Sequence, residues 1–218
     1  MRIGVLAPAR LVPAAALGAM AFLAAVVVPG AGPALADPPV GHETIVFVRH
    51  GEKPLLGLGQ LDCQGLNRAL ALPAVLSAKY AKPAAIFAPD PSKRKDDDGG
   101  SYDYIRPLAT IEPTAIRLGM PVDTTFGFDE LAPLRDALER PAYHDATVVV
   151  AWEHRMIETL AKMILSAHGG AAAGVPTWKG EDYDSIYVVT LDWAAKGVTA
   201  TFKRDAEGLD ARSKSCPS

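Results

Sequence analysis

The chain is poor in cysteine: only Cys63 and Cys216 occur in 218 residues. Their spacing fits no zinc-ligand pattern. Charge of one sign is also missing, since 22 basic and 25 acidic residues leave a net of −3. Such a mildly acidic balance argues against nonspecific nucleic-acid binding, although a local cationic pocket remains compatible with it. The one acidic run, Asp96-Asp97-Asp98, lacks the spacing of a calcium loop. Only one long apolar run is present, Leu11 to Val28, and no basic cluster follows it to stop transfer across a membrane. No cysteine near it offers a lipid attachment point.

Arg2 and Arg10 precede that run, and Pro29, Gly30 and the small residues Ala34-Leu35-Ala36 follow it. This order reads as a secretory signal peptide over residues 1–36, with cleavage after Ala36 and no stable membrane insertion afterwards. Residues 37–218 then form a single domain, long enough for a substantial core, in a secreted or periplasmic, cell-envelope protein. That compartment permits Cys63 and Cys216 to pair. Cys216 lies in a polar tail two residues from the end, so the sequence leaves a disulfide and free thiols equally open.

Beyond Pro38-Pro39, short β-branched runs alternate with longer alanine- and leucine-rich segments, as strands and helices do. Thr44 to Val48 is apolar at every position but the first and reads as a buried parallel strand. Asp62 is placed to cap a helix through Leu66, Ala69 and Leu70, with Pro73 opening a second segment toward Tyr80. Ala84 to Ala88 is the second strand. Residues 89–101 are polar without an apolar period and read as an exposed loop, with a rim or lid over a site as the functional alternative. A helix is expected from Ile105 to Leu118, broken or kinked at Pro113 and stopped by Gly119. A short strand at Val122 to Thr124, a helix at Glu130 to Glu139 and a strand at Ala146 to Ala151 come next. A helix from Met156 to His168 and two strands, Ile186 to Leu191 and Val198 to Phe202, complete the series. Together these elements predict a three-layer α/β/α sandwich with a mostly parallel central sheet. Ligands of such sheets bind beyond the carboxyl ends of the strands.

Those ends carry the chemistry. The first strand runs into Arg49-His50-Gly51-Glu52-Lys53, which supplies a planar donor fork, an imidazole nucleophile and a glycine that admits close backbone approach. Arg106 stands at the expected start of a helix, where free backbone donors also favour an anion. The late strand delivers Trp152-Glu153-His154-Arg155 to the same edge. Two histidines and two arginines without cysteine ligands suit a tetrahedral oxyanion better than zinc, and no metal or other cofactor is called for. Tyr102, Tyr104, Trp152 and Trp178 are candidates for pocket lining or for packing, while His42, His144 and His168 stand outside the motifs.

The strand ending in R-H-G-E, the arginine at a later helix start and the histidine after a late strand resemble the histidine phosphatase superfamily, which includes phosphoglycerate mutases and histidine acid phosphatases. The likeness covers residues 43–203, and Gly57 to Ala69 resembles the region after the superfamily's first motif, with Asn67-Arg68 in place of its usual polar pair. The resemblance implies a phosphoglycerate mutase-like fold, His50 as the nucleophile that becomes phosphohistidine, and Arg49, Arg106 and His154 as ligands of the phosphoryl oxygens. It also requires a general acid. His154 is followed by Arg155 rather than by aspartate or glycine, so the acid falls to a carboxylate elsewhere: Glu130 first, Asp129 second, Glu153 third. The implied activity is metal-independent phosphomonoester hydrolysis on a small phosphorylated substrate or a phosphoprotein. A noncatalytic phospho-ligand binder and a mutase-like transferase are the alternatives. The substrate's identity and the oligomeric state are not legible.

Overall fold

The structure, a computed structural model, describes residues 40–217. The signal-peptide reading of residues 1–36 lies outside the described residues. The central sheet has five strands in the order β2-β5-β1-β6-β7: β1 (Gly41–Arg49), β2 (Ala85–Phe87), β5 (Thr147–Trp152), β6 (Ser185–Ala194) and β7 (Gly197–Ala206). β1 and β2 both pair parallel with β5, whereas β6 runs antiparallel to both β1 and β7. Four strands therefore point one way and β6 alone runs against them. The last two strands form a hairpin.

Alternation along β1 and β5 builds the two faces. Ile45, Phe47, Val148 and Val150 face a core with Leu134 and Leu138 of α3 (Leu131–Leu138) and Ile157, Leu160 and Ile164 of α4 (His154–Ala167). Val46, Val48, Val149 and Ala151 face the opposite core, with Leu72 and Leu76 of α1 (Cys63–Lys79) and Ile111 and Ala115 of α2 (Arg106–Leu118). The result is the three-layer α/β/α arrangement with helices on both faces of the sheet.

Four local readings need correction. α1 is one helix rather than two, because Pro73 is buried in its inner face and burial holds the turn that the missing N–H leaves weaker. α2 likewise continues through Pro113, although Gly119 ends it in the left-handed conformation at φ 65° as expected. The strand at Val122 to Thr124 shrinks to a single bridge between Phe87 and Asp123. Residues 89–101 are not all loop. They contain β3 (Arg94–Asp97) and the start of β4 (Gly100–Asp103), which pair antiparallel as a separate hairpin.

Asp62 caps α1 by accepting the Gly65 N–H at 2.8 Å. Cys63 and Cys216 are joined in a disulfide, which settles the pairing. The tail is held to α1 further by Asn67, whose Nδ2 donates to the carbonyls of Ser213 and Ser215 at 2.9 and 2.7 Å. Arg68, fully buried on the helix, meets Glu52 at 2.7 Å, Glu207 at 2.6 Å, Asp210 at 3.1 Å and Asp184 at 3.4 Å. One guanidinium among four carboxylates leaves the most enclosed of them short of charge compensation, and burial pushes Glu207 up to about 8.

A second buried acid lies near the beginning of β1. Glu43 is fully enclosed and accepts the Trp193 Nε1–H at 2.9 Å, while the imidazole of His144 stacks on the Trp193 ring. Burial pushes Glu43 up to about 8, against the Trp193 hydrogen bond and with help from Glu139. A carboxyl raised in the folded state binds a proton that the unfolded chain has released, so its contribution is full below about pH 4.5 and is lost as pH rises through about 8. The melting temperature should therefore fall between pH 5 and pH 8. Glu43→Gln, neutral throughout, should flatten that fall without abolishing it, because Glu207 still titrates. Parallel curves for the two proteins in a pH series of thermal melts would refute the assignment to Glu43.

Candidate active site

β1 ends at Arg49, directly opposite Trp152 in the parallel register with β5. The His50 N–H donates to the Trp152 carbonyl at 3.0 Å, which carries the pairing one residue past the strand. His50 and the Glu153-His154 pair thus leave adjacent strands at the same carboxyl edge. The His50 ring is 2% exposed, and its Nδ1 lies 2.8 Å from the Gly51 carbonyl oxygen. A carbonyl only accepts, so Nδ1 carries the proton and Nε2 keeps its lone pair. Burial, followed by the charges of Arg106, Arg49 and His154, holds His50 well below the ordinary histidine range. It is therefore a neutral imidazole at physiological pH, with Nε2 free to accept.

Arg49 is fixed by its NH1 group, which donates to the carbonyls of Gly180 and Asp182 at 2.8 and 2.7 Å, and its guanidinium lies 3.7 Å over the Tyr183 ring. Arg106 begins α2 as expected, and its two terminal nitrogens fork onto the Asp97 carboxylate at 2.6 and 3.1 Å. The same carboxylate accepts the Gly59 N–H at 3.1 Å and Lys53 Nζ at 3.3 Å. Burial alone would raise Asp97, but the hydrogen bonds from Arg106 and Gly59 hold it near 2. His154, first residue of α4, has Nδ1 3.1 Å from Glu153 Oε1. It is held down to about 4 by burial and then by Arg49.

Arg49, His50, Arg106 and His154 therefore come together. What they leave unsatisfied is informative. Among the described residues, Arg49 Nε, Arg106 Nε and the Tyr104 hydroxyl are buried without a hydrogen-bond acceptor. Buried donors of this kind are costly unless an acceptor fills the space between them. Among the described residues, no group of three or more His, Cys, Asp or Glu is arranged to hold a metal ion.

Glu130 is engaged elsewhere. It is exposed and its Oε2 accepts the Gly127 N–H at 2.6 Å, which closes the turn before α3. Asp129 is exposed as well. Glu153 is 8% exposed, and it is the carboxylate whose charge reaches Arg49, Lys95, Tyr104 and His154. Two further expectations change. A Cβ on Gly51 would meet the Cα and carbonyl oxygen of Gly65 at 2.9 Å, so this glycine admits the backbone of α1 rather than a ligand. The backbone N–H groups of Ile105 and Arg106 both donate to the Gly59 carbonyl at 2.9 Å, so these donors at the α2 N-terminus are not free for an anion.

Sequence reasoning missed Lys95 and underrated Tyr104. Lys95 reaches in from β3, with Nζ 4.2 Å from the centre of the Phe128 ring and 5.2 Å from that of Tyr104. Burial lowers its pKa. The available signal was Asp98-Gly99, a turn dipeptide between two short polar runs. Arg155 is exposed and lines a groove of about 500 Å³ with His154, Glu158, Trp178, Lys179 and Glu181. Of the aromatics weighed for pocket lining, Trp152 and Trp178 are buried and bonded to the carbonyls of Phe128 and Asp182.

Comparison with solved structures finds this architecture elsewhere. A mycobacterial glucosyl-3-phosphoglycerate phosphatase, solved in complex with inorganic phosphate, superposes with a TM-score of 0.52 at 16% identity, over 75% of this chain and 95% of that one. A phosphoglycerate mutase from Plasmodium falciparum gives 0.51 at 14% identity, over 77% and 92%. The fold is phosphoglycerate mutase-like. A further structure, called mycobacterial hydrolase 2, gives 0.53 at 16% identity over 75% and 89%. No family model matches the sequence, and no curated protein matches it.

Asp97 joins the β3-β4 hairpin to the site through a pair in which both side chains are at least 96% buried, with 2% exposure for Arg106 and 4% for Asp97. Asp97→Ala should cost about 3 kcal/mol by leaving a buried guanidinium unpaired, read as a lower urea midpoint with an unchanged slope. A loss under about 0.5 kcal/mol, the range of ordinary surface changes, would mean that the pair does not anchor the hairpin.

Proposed function

We propose that the chain is an exported, metal-independent phosphatase of the histidine phosphatase superfamily, hydrolysing phosphomonoesters through a phosphohistidine on His50. The observation that carries this reading is the set of buried donors without acceptors around a neutral imidazole: Arg49 Nε, Arg106 Nε and the Tyr104 hydroxyl beside His50, with His154 next to them. A phosphoryl group supplies the acceptors that these donors lack. Phosphoryl transfer depends mainly on in-line positioning and on neutralising the equatorial oxygens, which fixed guanidinium groups accomplish without a metal.

The first step forms a bond from His50 Nε2 to phosphorus while the bond to the leaving oxygen breaks. Glu153 is the proton donor to that oxygen, in place of Glu130, because it is the carboxylate enclosed beside His154. In the second step water attacks phosphorus, Glu153 accepts its proton, and His50 leaves as a neutral imidazole. The groove along Arg155 and Lys179 gives the remainder of a small phosphorylated molecule a place to lie. Two structural relatives whose names state an activity are a glucosyl-3-phosphoglycerate phosphatase and a phosphoglycerate mutase. Export rests on the leader sequence, and it favours hydrolysis over mutase chemistry by removing the enzyme from the phosphorylated intermediates of glycolysis.

Residues 37–218 should release phosphate from an activated aryl phosphate in the presence of a chelator, and His50→Ala should abolish turnover. Glu153→Gln should slow esters with poor leaving groups at least 10-fold more than activated ones, within the range of acid catalysis, whereas Glu130→Gln should leave that ratio unchanged. Turnover that survives in His50→Ala, or that the chelator removes, would overturn the mechanism.

A further inference from the structure

We infer that Tyr104 is a substrate-binding residue whose hydroxyl donates a hydrogen bond to a non-bridging oxygen of the phosphoryl group. The inference rests on the phosphatase reading and extends it to a residue that the arginine and histidine motifs do not include. Tyr104 immediately follows β4, and its backbone N–H is held between the carbonyls of Pro91 and Lys93 at 3.1 and 3.2 Å. The hairpin therefore fixes where the ring enters the site. The ring is fully enclosed, 6.1 Å from the His50 ring in an edge-to-face arrangement and 5.6 Å from that of Phe128.

Cations crowd this aromatic body. The Arg106 guanidinium is 4.8 Å and Lys95 Nζ 5.2 Å from the ring centre. At the other end the hydroxyl is buried, with Arg106 close enough to donate to its oxygen but no acceptor for its proton. Arg106 lies beside it, and the charges of Glu153 and Arg49 reach it. The two arginines only donate, and among the described residues no carboxylate or carbonyl oxygen is aligned to accept. Burial raises its pKa further above the ordinary tyrosine value, so the hydroxyl keeps its proton at physiological pH.

A tyrosine needed only for packing would be better replaced by phenylalanine, which fills the same space and leaves no orphaned donor. The hydroxyl makes sense where an oxyanion arrives. Its orphaned neighbours, Arg49 Nε and Arg106 Nε, await the same guest. Donors aimed at one phosphoryl group from the β1 end, the α2 start and the β4 end would surround it on several sides.

The test is Tyr104→Phe, read by aryl phosphate hydrolysis and by thermal melting with and without inorganic phosphate. The inference expects kcat/KM to fall about 10- to 100-fold, as loss of a hydrogen bond to a charged group implies. The melting temperature without phosphate should stay level or rise, since an unsatisfied buried hydroxyl has been removed, and the stabilisation produced by phosphate should shrink. Unchanged kcat/KM and an unchanged phosphate effect would overturn the inference while leaving the phosphatase reading intact. A drop in activity accompanied by a lower melting temperature without phosphate would also overturn it, by making the hydroxyl structural. Wild-type protein that neither hydrolyses the ester nor responds to phosphate would refute the phosphatase reading, and this inference with it.

Discussion

The parallel pairing of β1 with β5 is the constraint on which the remaining geometry rests. Thr44 faces Thr147 at one end of the ladder and Arg49 faces Trp152 at the other. Each strand alternates between two apolar cores, so a slip of one residue would exchange every inward and outward side chain. The cores therefore set the register, and the register sets the chemistry. Because the apolar runs stop level with each other, His50 and Glu153-His154 emerge side by side, and the bond from the His50 N–H to the Trp152 carbonyl fixes the backbone of His50. Gly51 and Gly65 then let α1 approach that turn closely enough to support it.

Charge is distributed around this edge in two layers. In the cup, Arg49 is held by carbonyl oxygens, with no carboxylate in direct contact among the described residues, while Arg106 is held by Asp97, which compensates much of its charge. Behind the cup, Arg68 gathers Glu52, which lies two residues after His50, together with Asp184 and the tail carboxylates Glu207 and Asp210. Buried ion pairs add little net stability but cost several kcal/mol to break singly. Their effect here is positional. They bind the turn after His50, α1 and the C-terminal tail into one unit, and the Cys63 to Cys216 disulfide reinforces it.

The centre of the sheet was legible because β1 and β5 are nearly uninterrupted apolar runs with chemistry-bearing residues at their ends. His50, Arg49 and His154 could be located from that pattern alone, and Arg106 from the helix start. The β3-β4 hairpin was not legible as structure. It alternates in burial, with Lys95 and Asp97 turned inward and Arg94 and Asp96 outward, but all four are charged and carry no hydrophobic period. The same blindness applies to Arg68, which occupies the inner stripe of α1 four residues before Leu72 and eight before Leu76. Spacing marks it as inward, while its residue type argues for the surface. Glu130 was preferred to Glu153 on motif distance. Sequence could not reveal that Glu130 caps a turn or that Glu153 is enclosed beside His154.

The central claim is a covalent phosphoenzyme, and trapping it is the most direct test. Brief mixing with a phosphate-labelled aryl ester, denaturation at alkaline pH and mapping of the labelled peptide should yield an acid-labile, base-stable phosphate on His50. The same procedure on His50→Gln should yield none. Label on a serine, a carboxylate or another histidine, or steady turnover with no protein-bound phosphate at any quench time, would contradict the account.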